Sequence, residues 1–154
     1  MPVHDNVTSL LRVRLGDALV GLPARAVREI VRAVAITPLP GAPAIVEGAI
    51  NVRSELVPVI DVRQRLGFPG KTLDPDEFLV VVQAGSRTLA FRVDDVDDLV
   101  DVEAVETPAT LSPTLSGIAG LAARADGVLV IYDPAAFVSQ AEAAALDAAL
   151  VSRR

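Results

Sequence analysis

Residues Gly48 through Asp61 set two apolar runs back to back across a short polar tip, Asn51-Val52-Arg53-Ser54-Glu55. The outline returns in Gly117 through Asp133, around Asp126-Gly127, a dipeptide of the class most favoured in tight hairpins. A chain built on such runs makes short antiparallel hairpins rather than long helices. Its two halves also carry the same punctuation, for Thr37-Pro38 before the first hairpin is echoed by Thr107-Pro108 before the second. Short strands leave exposed edges unless the sheet closes, so the expected fold is mainly β, with two small barrels packed together.

The rest of the chain fits that plan. Leu11, Val13 and Leu15 alternate with Arg12 and Arg14, which predicts a half-buried strand that turns at Gly16-Asp17 into Ala18 to Leu22. After Pro23, the spacing of Val27, Ile30 and Val31 predicts one or two helical turns, with Arg25, Arg28, Glu29 and Arg32 on the other face. Val62 to Leu66 reads as a short helix, and Gly67 to Asp76 as a linker. Phe78 to Val82 is a continuous apolar run suited to a strand buried on both faces, returning through Ala84-Gly85-Ser86 along Leu89, Phe91 and Val93. Val96, Leu99 and Val100 form another short periodic stretch. The expected barrels thus span about residues 10–66 and 77–137 of a single domain covering 1–154. Ala-rich Gln140 to Val151 then predicts a helix at 140–151, docked through Leu146 and Leu150 because so short a helix is marginal alone.

Composition excludes more than it assigns. There is no cysteine, so disulfides and thiolate metal sites are impossible and a reducing compartment is expected. No apolar run approaches the ~18 residues of a membrane span, which predicts a cytoplasmic protein with no direct membrane insertion. Residues 1–76 carry a net +1 and residues 77–154 a net −7, giving −6 overall. With aromatics at 3% and no basic face, nucleic acid is not an expected partner.

Chemistry has little material to work with. His4 is the single histidine, in a terminal segment, which argues against a catalytic triad or a His-based metal centre. Asp94, Asp95, Asp97, Asp98 and Asp101 are dense in carboxylate, but they lack the alternating spacing and turn glycine of a calcium loop and read as a solvated acidic face. Gly117-Ile118-Ala119-Gly120 is too short to cradle phosphate. The stripe of Val27, Ile30 and Val31 is most simply core, with a partner surface as the alternative. Arg53 is harder to assign to scaffolding. A turn tip favours Gly, Asn or Asp, whereas Arg brings a planar fork of donors suited to carboxylates and enriched in interface hot spots. No cofactor, metal or catalytic residue is expected, and the chain reads as a binding protein rather than an enzyme.

Val27-Arg28-Glu29-Ile30, Thr37-Pro38 through Glu47-Gly48, and Gly48-Ala49-Ile50-Asn51-Val52-Arg53 followed by Val57-Pro58-Val59-Ile60-Asp61 resemble the motifs of the CheW-like family. Weaker likeness runs on through Val93-Asp94-Asp95-Val96 and Val128 to Asp133. The resemblance implies two five-stranded SH3-like barrels sharing a core, with short helices and a C-terminal helix, and a stand-alone, non-enzymatic adaptor. Its partners would be the cytoplasmic tip of methyl-accepting chemotaxis receptors and a CheA-like histidine kinase, placing it at membrane receptor arrays. A CheW-like scaffold in pilus motility or development is the alternative; a small-barrel enzyme or a nucleic-acid-binding module fits less well. The same resemblance assigns Arg53, Asn51 and Val27 to the receptor contact, and Glu29, Ile30 and Gly48 to coupling with the kinase or another partner. The family usually places Gly after that arginine, where this chain has Ser54. If the position needs φ > 0, Ser there is strained.

Overall fold

The computed structural model describes residues 8–102, 118–124 and 127–151. It is mainly β. The strands are β1 (Thr8–Leu15), β2 (Ala18–Pro23), β3 (Val27–Arg32), β4 (Val46–Val52), β5 (Glu55–Ile60), β6 (Phe78–Ala84), β7 (Arg87–Val93), β8 (Asp95–Val102), β9 (Ile118–Arg124) and β10 (Gly127–Tyr132). Helix α1 (Val62–Leu66) follows β5, and α2 (Gln140–Val151) ends the described chain. No helix among the described residues is long and apolar enough to cross a membrane.

Two five-stranded sheets form, in the orders β8-β1-β2-β10-β9 and β3-β6-β7-β5-β4. Each has an antiparallel hairpin at its centre, β1–β2 or β6–β7, and joins a second hairpin through a short parallel pairing, β2 with β10 or β7 with β5. The repeated plan is therefore present, but the strands are not divided as the sequence halves suggested. Hairpin β1–β2 pairs with β8 and β10 from the far end of the chain, while residues 27–93 supply the whole of the second sheet. One sheet is a circular permutation of the other. In consequence the 67–76 segment connects β5 to β6 within one sheet rather than linking two barrels.

Burial follows from this stacking. Each sheet has its own interior, built on Leu10, Val100, Leu129 and Ile131 in the first and on Ile50, Val57, Leu79 and Val81 in the second. Between the sheets lies a third and larger core containing Leu11, Val13, Leu15, Val20, Val80, Val82, Leu89 and Phe91. Strands β1, β6 and β7 thus bury both faces. That is why Leu79 to Val82 is apolar without alternation, each successive side chain pointing to a different core.

Two segments read as periodic rather than extended are strands. Pro23 leads into a single 3₁₀ turn, Ala24–Ala26, and Val27 already begins β3. Three β-branched residues in six favour the pleated form, and the free edge of β6 supplies hydrogen bonds that a two-turn helix would lack. A bulge between Val27 and Glu29 shifts the register, so Glu29 turns to the half-buried face while Ile30 stays 40% exposed. Val96, Leu99 and Val100 lie in β8, paired along β1.

Short helical pieces sit where their caps place them. Asp61 accepts a hydrogen bond from Gln64 N and starts α1, and Asp133 accepts one from Ala135 N at the matching point after β10. At α2, Ser139 Oγ accepts from Glu142 N while Glu142 accepts from Ser139 N, a reciprocal capping box. Leu146 is fully buried and Leu150 half-buried against the shared core, and the Arg65–Glu142 and Arg87–Asp147 ion pairs (2.6 Å each) tie the helix to α1 and to β7. The Thr107-Pro108 motif, Asp126 and His4 lie outside the described residues.

The acidic run does not act as one group. Asp97 pairs with Arg12 at 2.7 Å, and Asp101 accepts from Ser9 at 2.6 Å. Asp94 turns inward instead, bonding Arg63, Lys71 (2.9 Å) and the N–H of Gly16 (2.5 Å), so it bridges the first sheet's turn to α1 of the second. Burial alone would raise its pKa, but the bonds from Arg63, Gly16 and Lys71 outweigh that and hold the carboxyl well below the ordinary range.

Candidate functional site

Hairpin β4–β5 pairs Val52 with Glu55, leaving a two-residue turn of Arg53 and Ser54. Both have positive φ, 53° and 69°, the requirement of a type I′ hairpin turn. Neither is glycine, so the turn is held against its steric preference. Asn51 offsets part of this cost, its Oδ1 accepting from Ser54 N at 2.9 Å. Asn51 is thus part of the turn's own construction as well as exposed beside it.

This turn carries Arg53 far out, with 82% of its side chain exposed, and its Nε lies 3.2 Å from Glu29 Oε1 on β3. Strands β3 and β4 are opposite edges of the sheet, and the chain beyond β3 folds across to β4: Thr37 N donates to Ala49 O (3.0 Å) and Ala49 N to Thr37 O (2.8 Å). The crossing joins those edges, which is how Glu29 and Arg53, 24 positions apart in the sequence, come to face each other. Nearby, Arg28 donates to Thr88 Oγ1 (2.8 Å) and approaches Glu55 at 3.5 Å.

Gly48 has a different role from a contact residue. It is buried beneath the crossing, where a Cβ would stand 2.2 Å from the carbonyl oxygen of Thr37. Only glycine lets the backbones pass so closely, so Gly48 shapes this surface from below. Val27 is half-buried against the shared core, whereas Ile30 is exposed on the outer face of the strand that holds Glu29.

Beside the turn runs a groove of about 520 Å³ lined by Val34, Pro38, Ile50, Asn51 and Leu56. Val34 and Leu56 are 51% and 47% exposed, large apolar side chains left open next to a cation and an amide. The sequence reading did not single out either. Leu56 does carry a signal, since it precedes four buried residues yet pairs opposite polar Asn51 at the hairpin tip. Val34 carries none, because its exposure depends on the crossing.

Apolar wall, hydrogen-bonding amide and projecting guanidinium together suit docking of a protein surface, and nothing in them resembles an acid–base or nucleophile pair. Among the described residues, no group of three or more potential metal-ligating side chains converges.

The CheW-like domain family matches residues 9–142. The chain is 30% identical over 141 residues to the chemotaxis protein CheW of Treponema pallidum, covering 86% of this chain and 83% of that one. It is 31% identical over 104 residues to the protein FrzA of Myxococcus xanthus, covering 68% and 63%. The crystal structure of the scaffolding protein TtCheW from Thermoanaerobacter tengcongensis superposes with a TM-score of 0.79 at 25% identity, covering 88% of this chain and 94% of that one. Two like five-stranded sheets, the β4–β5 hairpin carrying the Gly48–Asp61 motif and a match along most of the length agree, and the chain belongs to the CheW-like domain family.

Proposed function

We propose that this protein is a non-enzymatic adaptor that couples methyl-accepting chemoreceptor tips to a CheA-type histidine kinase, at receptor arrays on the cytoplasmic side of the membrane. The observation carrying the proposal is the Arg53 turn: an 82%-exposed guanidinium on a two-residue left-handed turn, beside the Val34–Leu56 groove. An acidic, partly apolar protein surface matches that chemistry. Arg53 and Asn51 make the polar contact with the receptor, with half-buried Val27 at the start of β3 beside them in the same contact region. Glu29 and Ile30 sit on β3, where kinase coupling falls, and Gly48 acts by permitting the crossing. The Glu29–Arg53 ion pair supports this reading by linking the residue proposed for the receptor contact to one proposed for kinase coupling.

Membership of the CheW-like family and likeness to a protein named as a scaffold support an adaptor over an enzyme. A second reading keeps the device and changes the output to pilus motility or development; the relative FrzA, not named as a chemotaxis protein, favours it. Co-sedimentation of the purified protein with receptor signalling tips and each CheA-like kinase of its source, with kinase activity followed, tests both. Adaptor function predicts a ternary complex with altered kinase activity. Failure to bind either partner would overturn the proposal, and binding only a kinase outside the chemotaxis system would favour the second reading.

A further inference from the structure

Arg92 lies on β7, 6% exposed, and makes no contact with the Arg53 turn or the groove in any bond described above. Its guanidinium is used on every side. Nε donates to both oxygens of Glu47 (3.1 and 3.2 Å), Nη1 to Glu77 Oε1 (2.8 Å) and Nη2 to the carbonyl of Lys71 (2.7 Å). One side chain thus ties β7 to β4, to the residue preceding β6, and to the 67–76 connection.

Both glutamates are tied through the main chain to the 33–37 segment that makes the crossing. Glu47 immediately precedes Gly48, over which the 33–37 segment passes, and the main-chain oxygen of Glu77 accepts from Ala33 N (3.0 Å) at the start of that segment. The far end of the segment is fixed by the Thr37–Ala49 bridge. Val34, a wall of the groove, lies between these two anchors. Glu47 and Glu77 repel one another, and Glu77 is only 1% exposed with its Oε2 lacking a hydrogen-bond partner. Without Arg92, Glu47 would lose its cation and Glu77 would keep only the N–H of Asp74 (2.7 Å) and the more distant Lys71 ammonium (3.9 Å), leaving two carboxylates poorly compensated.

We infer that Arg92 is a positioning residue for the docking surface: by holding Glu47 and Glu77 together it fixes the 33–37 segment against β4 and so sets the groove beside Arg53. The inference rests on the proposed docking role of that groove. An Arg is required because its planar fork reaches two carboxylates and a carbonyl at once, which a lysine ammonium cannot do in the same geometry.

Two variants test it. Arg92→Lys keeps the charge and removes the fork. The triple variant Arg92→Met/Glu47→Gln/Glu77→Gln removes the whole ionic cluster, a replacement that leaves no buried charge unpaired and so preserves folding. For both, the readouts are melting temperature, amide hydrogen exchange at Thr37 and Ala49 relative to Val80 and Val81, and affinity for a receptor signalling tip. The expected result is faster exchange at Thr37 and Ala49 alone, with affinity weaker by roughly five- to 150-fold, the usual range of coupling between sites. Unchanged exchange at both amides would overturn the inference. So would faster exchange with parental affinity, provided that Arg53→Glu weakens binding to the same tip. If Arg53→Glu also binds like the parent, the docking role of the groove fails and the inference, which depends on it, falls with it.

Discussion

The two sheets have one strand plan and opposite surfaces. In the second sheet, β3 is an edge bearing Arg28 and Arg32 with Glu29 between them, and its hairpin β4–β5 lifts Arg53 beside an open apolar groove. In the first sheet the corresponding edge, β8, bears Asp95, Asp97, Asp98 and Asp101, of which Asp97 and Asp101 are engaged by Arg12 and Ser9 of β1. Permuted connectivity puts the second sheet in one continuous stretch, 27–93, and splits the first between both ends of the chain. Architecture is therefore common property of the two sheets, and the proposed recognition role rests chiefly on exposed side chains such as Arg53, Asn51 and Ile30 that belong to neither core. Every residue assigned to partner contact, from Val27 to Arg53, falls on the contiguous sheet.

That comparison breaks first if the sheets are not one folding unit. Phe91 belongs to the shared core and stacks edge-on against Phe137 at 5.0 Å, while Leu129 belongs to the first sheet's interior alone. Phe91→Ala should cost about 3–5 kcal/mol and Leu129→Ala about 2–5 kcal/mol. Both should give a single unfolding transition in which probes on the two sheets coincide, since the interface between them is a large apolar core. A separate early transition of the first sheet in Leu129→Ala would show two units.

Asp94 provides a sharper test of the joint. Asp94→Ala strands Arg63, which is 6% exposed, and should destabilise by about 3 kcal/mol, the low end for breaking a buried ion pair. The sign of its pH effect follows from the lowered folded-state pKa. Stability from Asp94 is fully present above the unfolded carboxyl value, about 4, and is lost as pH falls through the lower folded value. Acid unfolding of Asp94→Asn below about pH 4 should accordingly be shallower than that of the parent. Equal slopes would remove Asp94 from the account.

At the turn the effects shrink. Ser54 has φ 69°, so Ser54→Gly relieves left-handed strain and should stabilise the fold by about 1 kcal/mol in chemical denaturation. Binding should hold or strengthen, because Asn51 still accepts from the same backbone N–H. Destabilisation by Ser54→Gly would mean that the turn is not strained.

The elements legible in the sequence were those whose signals are local. Alternation gave β1, the unbroken apolar run gave β6, the Gly48–Asp61 pattern gave β4–β5, and alanine content gave α2. β3 was misread because Val27, Ile30 and Val31 fit a helical period as well as a bulged strand, and only the open edge of β6 decides between them. The exchange of hairpins between sheets leaves no local trace, since β1–β2 has the same alternation whichever sheet it joins. At the site, Arg53 was marked by being the wrong residue for a turn tip. Its pairing with Glu29 and the burial of Gly48 depend on the crossing at Thr37–Ala49, a contact that no spacing encodes, and the Arg92 cluster joins residues from three separate parts of the chain.

The central claim is that Arg53 serves recognition and not folding. Its ion pair with Glu29 is exposed on the Arg53 side, and such pairs contribute about 0–1 kcal/mol. Arg53→Glu, with melting temperature and receptor-tip affinity measured on the same preparation, tests the claim most directly. The account predicts a stability change within about 0.5 kcal/mol and an affinity loss of roughly five- to 150-fold, or about 1–3 kcal/mol. Parental affinity, or a loss of affinity that only tracks unfolding, would contradict it.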